Sequence, residues 1–267
     1  MEATLLTAAL GGVIGAILAA TGAGGGILAV PMLVFGLHLG VAQAAPMGLI
    51  AVGMSAAVGA GLGLRDGIVR YRAAALIGVL GMAVAPLGVA LAGWLPNPPL
   101  MAAFALVLGL NAWRTLRKAG TVAAPTEPPP CMLQPQRGRL LWTRPCARAL
   151  AAIGALSGLL SGLLGVGGGF VIVPALRRYT DLPARSVLAT SLAVIALVSA
   201  GAIAAATARG RVDWGMALPF ALGSVAAMLA GRRFVAAAPP ARLQRLFALV
   251  SMAAAVLMLW RVIAGVA

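Results

Sequence analysis

Six long apolar stretches run along this chain: Val41–Leu64, Ile68–Ala92, Pro99–Leu116, Leu182–Ala208, Val212–Arg232 and Ala241–Trp260. A helix crosses the hydrocarbon core with about 20 apolar residues, so each stretch predicts one transmembrane helix. Two more apolar blocks, Leu5–Leu37 and Leu150–Leu176, do not read as continuous helices. Each is interrupted by glycines: TGAGGGILAVP from Thr21 to Pro31, and LGVGGGFVIVP from Leu164 to Pro174. As one helix, Leu5–Leu37 would be roughly 50 Å long against a core of about 30 Å. The pattern predicts a chain that breaks at the glycines.

The two interruptions are copies. Gly24-Gly25-Gly26 and Gly167-Gly168-Gly169 lie 143 positions apart, and the same offset pairs Gly11 with Gly154, Gly15 with Gly158, Pro31 with Pro174, Gly67 with Gly210 and Phe104 with Phe247. A register kept over so long a span marks a duplication. The chain divides into a first membrane repeat at 4–118, a Pro-rich linker at 119–146 and a second repeat at 147–264. The linker composition predicts a flexible connection. Its two cysteines, Cys131 and Cys146, fit no zinc or CxxC spacing and read as reduced, incidental thiols.

Charge chooses between two topologies. If each glycine block crosses once, there are eight spans, and basic residues divide thirteen to seven between the two faces. If each block enters, breaks near the midplane and returns, the division is seventeen to three in favour of the linker face. Basic residues collect on the cytoplasmic side. The expected fold is an all-α integral membrane protein built as an inverted repeat, each half with a re-entrant, Gly-broken helix pair plus three full transmembrane helices. The linker is then cytoplasmic and both termini face the other side.

Composition agrees: 62% of residues are hydrophobic, 9% are charged and the mean hydropathy is +1.03. Soluble chains are nearer half apolar and a quarter charged. The net charge of +15 therefore reflects cytoplasmic loops rather than a nucleic-acid partner. The acids Glu2, Asp66, Glu127, Asp181 and Asp213 all lie in loops, the tail or the linker. No mid-span carboxylate is present to bind a cation or relay protons, which disfavours a cation channel. Nor is there a cluster of His, Cys or acid within the spans for catalysis, a metal or a cofactor.

Irregular backbone at membrane depth must be buried or line a polar cavity, and paired breaks in two inverted halves point to a transporter's binding site. A short helix restarts after each break. Its first N–H groups lack intrahelical partners and carry the positive end of the helix dipole. Two such ends make an anion site without a basic side chain. The candidate binding residues are Thr21, Gly24, Gly25, Gly26 and Ile27 at the first break, and Ser161, Gly167, Gly168, Gly169 and Phe170 at the second. Thr190 and Ser191, part-way into a later span, are placed to reach the same cavity. Gly11, Gly15, Gly22, Gly59 and Gly63 read as helix-packing glycines. Transport by rocking of one half against the other is expected; proton or sodium coupling is left open. The competing readings are a non-transporting membrane subunit or assembly factor, and a carrier of small carboxylates.

Two copies of GxGGGxxxVP, each opening a membrane half, resemble the TauE/SafE sulfite exporter family, also known for organosulfonates. Ala189-Thr190-Ser191-Leu192 after the second copy is similar to that family's second element, whereas the matching first-half position holds Pro46-Met47-Gly48, without hydroxyls. The resemblance implies transport of a small sulfur-containing oxyanion or organosulfonate across the bacterial inner membrane. The topology is testable on its own. Alkaline phosphatase fused after Arg178 is expected to be inactive, and fused near Pro96 active; activity after Arg178 would exclude the re-entrant arrangement.

Overall fold

The computed structural model describes residues 2–21, 25–118, 130–134, 139–234 and 240–264. The helices, in chain order, are α1 (Glu2–Thr21), a 3₁₀ turn (Gly25–Leu28) leading into α2 (Ala29–Gly36), α3 (Val41–Arg65), α4 (Tyr71–Trp94), α5 (Asn97–Lys118), α6 (Arg144–Leu164), α7 (Gly169–Tyr179), α8 (Ala184–Ala208), α9 (Trp214–Phe234) and α10 (Pro240–Ile263). Within the linker, β1 (Leu133–Gln134) and β2 (Arg139–Leu140) form a two-residue antiparallel ladder. Helix bounds recur at the sequence offset: α3 and α8 begin and end 143 residues apart, α4 and α9 begin 143 apart, and so do α5 and α10.

Seven helices among the described residues are long and apolar enough to cross a membrane: α3, α4, α5, α6, α8, α9 and α10. The six apolar stretches of the sequence account for all but α6. That helix starts at Arg144, six residues before the apolar block at Leu150, because Thr143 caps it by accepting from the Cys146 N–H at 3.3 Å and Pro145 suits its first turn. The end of the linker is thus helix.

The path after α6 is decided at its two ends. Cys131 is joined to Cys146, in the first turn of α6, by a disulfide with a Cα–Cα distance of 5.0 Å. The Cys131 N–H also donates to the Tyr179 carbonyl, 3.2 Å away, at the end of α7. The start of α6 and the end of α7 therefore meet the same linker residue. At 11 residues, α7 is about 16 Å long, half the hydrocarbon core. The reduced-thiol reading of the cysteines is corrected: the two are bonded, and the described part of the linker is tethered where a free connection was expected.

Helix contacts are made backbone to backbone through small residues. Gly154, Gly158 and Gly162 lay one face of α6 on the Ile77, Gly81 and Ala85 carbonyls of α4. Gly11 and Gly15 do the same for α1 on the Phe220 and Ser224 carbonyls of α9. With no hydrophobic driving force between helices in lipid, such close approach supplies the dispersion contact that holds them. The packing reading of Gly11 and Gly15 fits these contacts, as it does for Gly59 against Leu192 and Gly63 against Ala189.

These contacts cross between the first and second parts of the chain. α1 packs on α9, α6 on α4, α3 on α8, and α5 on α10. α3 and α8 run antiparallel, with Gly53 against Ser199 at their middles and Gly63 against Ala189 near the linker face. Each half therefore lends helices to the packing of the other.

A branched side chain on α6 has nowhere to go. Gly158→Leu is expected to abolish a monodisperse folded protein, since any Cβ there collides with the Gly81 carbonyl. Gly61→Leu, at a position with nothing within 4 Å, should elute and melt like the natural chain. Size-exclusion profiles and thermal unfolding in detergent distinguish them.

Candidate functional site

The two breaks meet. A methyl placed on Gly26 would lie 3.0 Å from the Val166 carbonyl oxygen and 3.0 Å from Val52, while one on Gly167 would lie 3.0 Å from Ile195 and 3.1 Å from Val52. Val52 and Ile195 sit at the middles of α3 and α8. The junction is therefore at mid-depth, enclosed by the antiparallel α3–α8 pair, and Gly25, Gly26, Ile27 and residues 165–170 are all buried.

Backbone geometry explains the glycines of the second break. Gly165 closes α6 at φ +74°, its N–H donating to the Ser161 carbonyl at 2.8 Å. Gly167 and Gly168 follow at +73° and +71°. Only glycine takes this left-handed region without cost. The three reversals swing the chain from the end of α6 to the start of α7 within four residues, Gly165–Gly168. Gly168 caps α7 without a side chain; its carbonyl accepts from Val171 and Ile172 at 3.0 and 3.1 Å. By helix geometry the Gly169 and Phe170 N–H groups have no intrahelical acceptor. Arg177 and Arg178 occupy the last turn of α7, where cations complement the negative end of the dipole. The positive end points at the junction.

The proline of the motif has a role of its own. Pro174 has no N–H, so the Phe170 carbonyl one turn earlier loses its helical donor. The Asn111 amide of α5 donates to that oxygen at 3.4 Å. Sequence reasoning counts Asn111 only as a polar residue within a span. The signal was available: an intrahelical proline releases the carbonyl four residues back, and something buried must answer it.

Two hydroxyls at the junction are unanswered. Ser161 Oγ and Ser199 Oγ are fully buried with no hydrogen-bond partner. Ser199 Oγ lies 3.4 Å from where a Gly167 methyl would sit. An unsatisfied buried hydroxyl costs about 1–3 kcal/mol; Ser251 Oγ on α10 is buried without a partner as well. The sequence counts Ser199 only among the polar residues within spans, since nothing in it aligns that residue with the break on another helix.

The remaining candidates fall elsewhere. Thr190 Oγ1 accepts from the Arg70 N–H at 3.0 Å, and Ser191 Oγ donates to the Leu188 carbonyl of its own helix at 2.8 Å. Nine residues before Ser199 on α8, Thr190 is about 13 Å from the junction level. The structure therefore brings together Gly25, Gly26, Ile27, Ser161, Gly167, Gly168, Gly169 and Phe170, and sets Thr190 and Ser191 apart on the linker side. Gly22, Gly24 and the side chain of Thr21 lie outside the described residues.

Comparison with known proteins decides the family. The description "Sulfite exporter TauE/SafE" matches residues 7–258. The chain belongs to the TauE/SafE family. It is 29% identical over 267 residues to a protein named "Probable membrane transporter protein" from Xylella fastidiosa strain 9a5c, covering 98% of this chain and 97% of the relative. A protein of the same name from strain Temecula1 is 27% identical over 270 residues, with the same coverage. No solved structure matches. This TauE/SafE protein is a multi-pass membrane transporter rather than an enzyme, with a small-molecule substrate and the bilayer as its solvent.

Crowding and backbone sign together set the cost of a methyl at the breaks. Gly165→Ala combines a left-handed φ with a collision against Ala45, whereas Gly67→Ala meets open space at φ +68°. The first is expected to lower the melting temperature well beyond the second, whose cost is only the left-handed term, about 1–2 kcal/mol. Equal shifts in detergent melts would show that the second break is not tightly packed.

Proposed function

We propose that this transporter moves a small anion, a sulfur-containing oxyanion or organosulfonate, held at mid-membrane between the two Gly-rich breaks. The observation that carries the reading is the pair of buried, unpartnered hydroxyls, Ser161 and Ser199, at the junction that the positive end of α7 faces. Hydroxyl donors, the N–H groups of Gly169 and Phe170 and the dipole all favour negative charge. The first break contributes Gly24–Ile27 with Thr21 beside it, and Gly167 completes the second. Thr190 and Ser191 tune the path on the linker side rather than touching the anion at the junction. Sulfur enters through the family and through nothing in the geometry.

The architecture in this proposal is an inverted repeat, 4–118 and 147–264, joined by the linker at 119–146. The antiparallel run of α3 and α8 and the return of α7 to the linker face support it. Charge puts the linker face in the cytoplasm of a bacterial inner membrane, with the termini opposite. Because the helices interlock across the halves, the moving parts are the short arms α2 and α7.

Removing an unpartnered hydroxyl removes a desolvated polar atom, so Ser161→Ala and Ser199→Ala should fold at least as stably as the natural chain. Each is expected to weaken uptake of a sulfonate or sulfite into proteoliposomes about tenfold in KM, the loss of one hydrogen bond to a charged ligand. Unchanged KM in both would exclude the site. Proteoliposomes of the natural chain that move neither these anions nor short carboxylates would favour a non-transporting subunit.

A further inference from the structure

We propose that the linker hairpin is a lipid-binding foot: Met132, Leu141 and Trp142 enter the bilayer interface, and the arginines around them hold anionic lipid headgroups. The backbone of the hairpin is fixed at its base. β1 and β2 pair antiparallel, and the Leu141 N–H donates to the Met132 carbonyl at 2.8 Å, so these two residues sit opposite one another just beyond the ladder. Thr143 Oγ1 donates to the Pro130 carbonyl at 3.3 Å, and the Cys131–Cys146 disulfide ties the incoming strand to the first turn of α6. The Cys131 N–H donates to the Tyr179 carbonyl. The hairpin therefore stands on α6 and α7 together.

Its residues divide by exposure. Cys131 and Leu140 are buried, whereas Met132 and Leu141 are each 46% exposed and Trp142 is 40% exposed. The depth of this apolar cluster is set by the spans. Trp142 directly precedes Thr143, the cap of α6. The Arg72 guanidinium, in the first turn of α4, lies 5.6 Å from the centroid of the Trp142 ring. Both α4 and α6 are long and apolar enough to cross the membrane. Trp142 thus lies at the level where two spans leave the hydrocarbon. An apolar surface at that level meets lipid, and tryptophan suits it, with an apolar body and a polar N–H at one edge.

Charge selects which lipid. On the described part of this face the exposed acids Asp66 and Asp181 are outnumbered by the exposed Arg65, Arg72, Arg144, Arg148, Arg177 and Arg178. Basic residues beside a span attract anionic lipid by about 1 kcal/mol each, which is about fivefold in local concentration. Arg72 and Arg144 flank Trp142 from the two spans, so a headgroup they hold lies beside the indole.

Fluorescence reads this contact without a transported substrate. The purified natural chain and Trp142→Phe are placed in bilayers of equal parts phosphatidylcholine and phosphatidylglycerol, with bromine on the acyl chains of one lipid or of the other. The difference in emission between the two proteins isolates Trp142. Brominated phosphatidylglycerol is expected to quench that emission at least about twice as strongly as brominated phosphatidylcholine. Arg72→Gln combined with Arg144→Gln should lower the ratio, whereas Arg209→Gln, at the far end of α8, should leave it unchanged. No quenching by either lipid, as for a hairpin standing in water, would overturn the foot. Equal quenching by both lipids in the natural chain, or a ratio that the double arginine variant does not lower, would overturn its preference for anionic lipid. None of these outcomes depends on what the transporter carries.

Discussion

A helix broken inside a bilayer leaves amide groups with no water to turn to, and each must be answered by protein. The rest of this structure follows from that constraint. The second break reverses through three left-handed glycines, and Gly26 of the first break lies against the Val166 carbonyl of the second. Neither break is tenable alone in hydrocarbon. Each is covered by its partner and by the middles of α3 and α8. What is left unanswered after that mutual cover, two serine hydroxyls and the first N–H groups of α7, is correspondingly small and specific.

The motif GxGGGxxxVP can be given a physical meaning residue by residue. Its glycines at 165, 167 and 168 supply the sign of φ that the reversal requires. The third of the adjacent glycines opens the short helix. The proline is one turn beyond the junction, and its absent N–H turns the Phe170 carbonyl outward to Asn111. A continuous helix would hide that carbonyl. In the second copy the motif thus leaves main-chain N–H donors at the start of α7, while the Phe170 carbonyl is answered by Asn111.

Much of this was legible in the sequence, and the reasons are particular. The offset of 143 reappears in the bounds of α3 and α8 because duplicated sequence conserves where hydrophobic runs begin and end. The breaks were legible because three adjacent glycines followed by Val-Pro are more than helix packing needs. Thr190 and Ser191 could not be placed from sequence: depth along α8 depends on how α8 crosses α3, and the Arg70 backbone claims Thr190 from another helix. Ser199 was passed over for the same reason, since its relation to Gly167 exists only across helices. The disulfide was missed because fifteen residues of linker say nothing of whether Cys131 folds back on α6. The exchange of partners between halves, likewise, is a property of contacts and has no signature in a repeat.

That exchange has a consequence for how the chain is made. α1 is synthesised first, but the carbonyls on which Gly11 and Gly15 rest belong to Phe220 and Ser224, about two hundred residues later. At ribosomal rates of roughly 5–20 residues per second, that is an interval on the order of 10–40 s. During it, the glycine face of α1 and the first break must be held by lipid or by insertion machinery. The first half is therefore not a finished folding unit that awaits a second. Its helices find their main partners only when α6, α8, α9 and α10 arrive, so biogenesis is an event of the whole chain.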